Sequence, residues 1–133
     1  MAATPAVESN GFIIMADVEI SSEVISKVRR SLEVFAAAKK LPTFSDIETS
    51  VGLKFRQDQW RQVFDPIYEE LRATGQPDVT AIVVYKGGEK ANYPAYFSAG
   101  NKARSRRFNP NNPAHLTGWT REVEHVFAKY RKR

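Results

Sequence analysis

The chain reads as an α+β domain of three helices, a β-hairpin and a C-terminal helix. Three segments between residues 21 and 75 repeat apolar side chains at three- and four-residue steps. A continuous β-branched run follows them, and a further helical repeat closes the chain after a loop rich in cations. With 133 residues, 42% of them hydrophobic and 11% aromatic, there is material for one domain with a buried core. The expected organisation is a flexible tail over 1–16 and a single domain over 17–133. That domain includes a basic loop, 101–115, and a terminal helix, 117–131.

The first helix is expected within "SSEVISKVRRSLEVFAAAKK". Ser21 or Ser22 caps it, Glu23 sits in its first turn, and Lys39 and Lys40 complement the dipole at its end. Val24, Ile25, Val28, Leu32, Phe35 and Ala36 form its apolar face, and Pro42 stops it. The second helix, "TFSDIETSVG", has Thr43 or Ser45 as cap, turns Phe44, Ile47 and Val51 inward, and ends at Gly52.

"FRQDQWRQVFDPIYEELRATG" is the third helix, striped by Trp60, Val63, Phe64, Ile67, Tyr68 and Leu71. Pro66 predicts a kink or a one-residue break, and Gly75 the terminus. "VTAIVVYK" then reads as a buried strand and "KGGEKAN" as a turn. "YPAYFSA" reads as the returning strand, with Pro94 marking an edge or a bulge. In the last helix Trp119, Val123, Val126, Phe127 and Tyr130 share one side.

The absence of cysteine excludes a disulfide framework, a thiolate zinc site and a cysteine nucleophile, and fits a cytoplasmic location. No apolar run approaches the roughly 20 residues that span a bilayer, so no membrane role is expected. "MAATPAVESNG" does not read as a secretory signal, and Met15 is a candidate alternative start.

Charge is partitioned along the chain. Residues 1–100 carry 11 Lys and Arg against 13 Asp and Glu, a net of −2, whereas residues 101–133 carry 9 against 2, a net of +7. That polarity points to an anionic partner. Lys102, Arg104, Arg106 and Arg107 crowd into a loop without apolar periodicity. Their mutual repulsion, up to about 1 kcal/mol per adjacent pair, is relieved by phosphate. Arginine also forks onto phosphate oxygens. Lys129, Arg131, Lys132 and Arg133 extend the patch. Tyr93, Tyr96, Phe97 and Phe108 are the aromatics nearest the charge, suited to stacking on bases or to closing the core. Asn109, Asn111 and Asn112 read as turn formers.

Three helices followed by a two-stranded hairpin, over residues 22–98, resemble the winged-helix family of DNA-binding domains. Within this span "TFSDIETSVG…RQDQWRQVF" resembles a helix-turn-helix with its turn through Gly52, Leu53 and Lys54. The resemblance implies that the third helix offers Arg56, Gln57, Gln59, Arg61 and Gln62 to a major groove. It also implies that the glycine turn is a wing bringing Lys86 and Lys90 to phosphate. Asp58 and Asp65 oppose deep insertion. "TFSDIETSVG" is also similar to a helix of alkyltransferase-like DNA-repair domains, but alkyl transfer requires a cysteine that this chain lacks.

The expectation is therefore a non-enzymatic nucleic-acid-binding domain, for double-stranded DNA ahead of RNA. It needs no cofactor or metal, acts as a regulator or accessory factor, and is compatible with a homodimer. Two alternatives stand beside it. One is a small basic ribonuclease using His115 and His125; the other is a module for an acidic protein. The remaining catalytic patterns fail on spacing. Glu89 followed at once by Lys90 does not make an acid-x-Lys nuclease motif, and "YKGGEK" opens no helix that would bind nucleotide phosphate.

Overall fold

The computed structural model describes residues 7–9, 12–15, 19–87, 92–96 and 108–131. They form a mixed α/β, mostly helical fold. The elements run β1 (Val7–Ser9), β2 (Phe12–Ile14), α1 (Ser22–Ala37), α2 (Phe44–Val51), β3 (Leu53–Lys54), α3 (Gln57–Ala73), a 3₁₀ turn (Val79–Ile82) and α4 (Pro113–Tyr130).

α1 is the hub, packing on α2, α3, the 3₁₀ turn and α4. Its expected stripe supplies Val28, Leu32 and Ala36, all fully buried. Ser21 caps it by accepting a hydrogen bond from the Val24 N–H at 3.2 Å. Its far end closes on Lys39, which adopts φ 56. There the Lys40 N–H donates to Phe35 O and the Lys39 N–H to Ala36 O, each at 3.0 Å. This is a Schellman closure, usually given to glycine.

α2 begins in a capping box between Thr43 and Asp46 and ends at left-handed Gly52. α3 runs through Pro66 as one helix, so of the expected kink or one-residue break the break does not occur. Pro66 is exposed, as is Gln62, whose carbonyl has no helical N–H to accept from. Buried Val63, Phe64, Ile67 and Leu71 on both sides of it hold the helix to the core. Left-handed Gly75 ends the helix region as expected.

Two features of the N-terminal stretch depart from the expected tail. β1 pairs antiparallel with β2, and β2 pairs parallel with β3. Met15 is a core residue, 3% exposed, whose N–H donates to Lys54 O at 2.8 Å. The sheet exists because the short link between α2 and α3 is itself extended and presents its backbone to the preceding segment.

The expected strand "VTAIVVYK" is also corrected. Val79–Ile82 coil into a 3₁₀ turn because Asp78 caps them: its Oδ1 accepts from the Thr80 N–H at 3.0 Å and from the Thr80 hydroxyl. Val79, Thr80, Ala81 and Ile82 are all 0% exposed, enclosed by helices. The unbroken apolar run thus records burial on every side, which a turn satisfies as well as a strand. A remnant of the hairpin survives: a single antiparallel bridge joins Val84 to Pro94. It is flanked by bonds from Tyr85 N to Tyr93 O at 3.0 Å and from Ala95 N to Val83 O at 2.8 Å.

α4 starts at Pro113, four residues before the expected boundary. Asn112, read as a turn former, is its N-cap, accepting from the Ala114 N–H at 2.9 Å with Pro113 at the first helical position.

Candidate nucleic-acid interface

The expected footprint divides into two parts. Lys90, Lys102, Arg104, Arg106, Arg107, Lys132 and Arg133 lie outside the described residues, as does Phe97. Arg56, Gln57, Arg61, Lys86, Lys129 and Arg131 lie within them, and all six are exposed.

The start of α3 offers less than its sequence suggests. Gln59 does not face outward: it is 1% exposed and structural. Its Oε1 accepts from the Arg56 N–H at 2.7 Å and its Nε2 donates to Met15 O at 2.5 Å, tying α3 to the end of β2. Arg56 is engaged with Asp58, through Nε at 2.9 Å and Nη2 at 3.2 Å. Those hydrogen bonds, ahead of the Coulombic attraction, hold the Asp58 carboxyl below its ordinary range. Gln57, Arg61 and Gln62 remain exposed, and Gln57 and Arg61, four residues apart, are neighbours on the helix surface. Arg61, Lys86 and Arg131 have no carboxylate partner among the described residues.

α4 carries a feature that composition alone did not single out. Arg121, His125 and Lys129 follow each other at four-residue steps, and all are exposed, so they form one row along the helix. The spacing was present in the sequence, but Glu122 and Glu124 masked it. Glu122 is turned to other work, accepting from the Asp78 N–H at 2.7 Å. Lys129 bonds Gln76 Oε1 and lies 5.0 Å from the Tyr130 ring centroid.

The two histidines do not share a site. Both stand on α4, ten residues apart, which separates them by about 15 Å along the axis. His125 is exposed. His115 is half-buried, and its Nδ1 accepts from the Asn109 N–H at 3.0 Å. No group of three or more His, Cys, Asp or Glu able to hold a metal occurs among the described residues.

The aromatics near the charge sort into two sets. Tyr96 belongs to the core, 6% exposed, 5.2 Å from Phe64 between ring centroids and donating its hydroxyl to Asp65 Oδ1. Phe108 instead centres a cluster outside it, with Tyr93 at 6.2 Å and His115 and Trp119 each at 6.1 Å. The Trp119 indole N–H donates to Ala81 O at 2.7 Å, fixing this cluster on the 3₁₀ turn.

Between the first half of α1 and α3, a groove of about 380 Å³ is lined by Ser22, Ile25, Ser26, Arg29, Pro66, Ile67 and Glu70. Arg29 is neutralised there by Glu33 at 3.4 Å and by Glu70. Partial burial opposes its charge, and the two carboxylates more than offset this, so its pKa is raised.

No family model matches the chain, and no curated protein or solved structure matches it either. No helix among the described residues is long and apolar enough to cross a membrane.

Proposed function

We propose that this protein is a nucleic-acid-binding domain that works by occupancy, with phosphate held mainly by the basic C-terminal quarter. The observation that carries the reading is the charge partition, −2 over residues 1–100 against +7 over 101–133. The exposed Arg121–His125–Lys129 row supports it from within the described residues. Double-stranded DNA is the first ligand to test. The resemblance of α2, its short link and α3 to a helix-turn-helix supports that choice, and Gln57, Arg61 and Gln62 are residue types able to read bases.

The test is a salt titration of binding to a labelled duplex. Four neutralised phosphates give a log–log slope of about −3.6. Changing Arg104, Arg106 and Arg107 together to Ala flattens that slope by about 2.7 and weakens binding regardless of sequence. Duplex affinity unchanged by the triple substitution overturns the assignment of the patch. A chain that ignores DNA and RNA at low salt but captures an acidic polypeptide replaces the reading with the protein-binding one.

A further inference from the structure

We infer that the cluster of Tyr93, Phe108, His115 and Trp119 is a stacking site for an unpaired nucleobase. This rests on the nucleic-acid reading above and adds a ligand class to it.

The cluster is built unlike the hydrophobic core. Trp60 and Tyr96 are nearly inaccessible, at 7% and 6% exposed. The four rings of the cluster, Phe108 included, are all half-buried. Only Trp119 packs against the core; Tyr93 and Phe108 stand outside it. Three ring pairs with centroids 6.1–6.2 Å apart thus meet at the surface, where a further flat ring adds to the group without repacking the interior.

Among the described residues, the polar edges of the cluster are unoccupied. A backbone N–H is always a donor, so the Asn109 bond requires His115 Nδ1 to accept and places the ring proton on Nε2. Neither that Nε2–H nor the Tyr93 hydroxyl has a hydrogen-bond partner among the described residues. Stacking faces beside a donor and a hydroxyl that no described residue fills suit a planar heteroaromatic ring with polar edges, which is a base. An aliphatic or purely apolar ligand leaves both polar groups unsatisfied.

The platform is anchored. The Trp119 indole is bonded to Ala81 O, and the Phe108–His115 segment is bound to the start of α4 through Asn109 and Asn112. Charge complementarity favours nucleic acid over a free aromatic metabolite: Phe108 directly follows Arg106 and Arg107 in the chain. A base paired within a duplex hides its faces, so the site selects single strands, ends or extruded bases.

The test uses the unmodified chain with two 12-mers of equal charge, oligo-dT and an abasic strand of the same length. Oligo-dT binds about 5- to 100-fold tighter and quenches tryptophan emission, and Trp119→Phe removes the quench. Phe108→Leu, which keeps apolar volume, narrows the difference between the strands. Equal affinity for both strands with no change in emission overturns the stacking site and leaves the phosphate reading standing. A preference for oligo-dT whose quench survives Trp119→Phe also overturns it, because the stacking then occurs elsewhere. Failure of either strand and of duplex DNA to bind at low salt removes the nucleic-acid reading itself.

Discussion

Gln59 shows how one side chain in a polar run can belong to the interior. It lies among Arg56, Gln57, Asp58, Arg61 and Gln62, and no periodic signal separates it from them. Burial at 1% exposure is tolerated because both ends of its amide are paired, to the Arg56 N–H and to Met15 O. Gln59→Leu keeps the volume but strands both backbone groups. It is expected to lower stability by about 1–3 kcal/mol, seen as a lower urea midpoint with an unchanged m-value. The same single-residue logic removes Arg56 from simple membership of a DNA-binding face. Any phosphate must compete with Asp58 at 2.9 Å, whereas Arg61 faces no such competitor among the described residues.

At the scale of elements, the helices follow local rules and the extended segments do not. Ser21, Thr43 and Asn112 cap as their chemistry dictates, and Gly52 and Gly75 take left-handed conformations where helices end. β1, β2 and β3 are only two or three residues long, too short to leave an alternation in the sequence. Their role is testable through the alternative start. A chain beginning at Met15 loses β1 and β2, together with the bond from Ile13 N to Gly52 O, and places a charged amine at a buried position. It is expected to retain the helical signal in circular dichroism but to be about 2–4 kcal/mol less stable in urea. Unchanged stability would mean that the strands add nothing to the fold.

At the scale of the whole molecule, α1 unites α2, α3, the 3₁₀ turn and α4, while the excess charge is gathered after residue 100. A ligand that binds only the folded chain stabilises it by about 2.7 kcal/mol at a hundredfold excess over Kd. Saturating oligonucleotide is therefore expected to raise Tm by several degrees at low salt. The rise should vanish at high salt as the counterion advantage is lost, and differential scanning fluorimetry reads both limits. A shift that persists at high salt would point to contacts other than phosphate.

By itself the sequence determined the four helices, most of their ends and the uneven distribution of charge. Each of these is written locally, in spacing, capping residues and composition, and needs no distant partner. Tertiary structure decided what became of "VTAIVVYK", where Gln59 points, and that Glu70 belongs to Arg29. It also gathered Tyr93, Phe108, His115 and Trp119, which are spread over 27 positions of sequence, into one cluster. An apolar run specifies that it will be covered but not by what. A polar side chain specifies which bonds it can make but not with whom. Both choices are settled only when the helices close around α1.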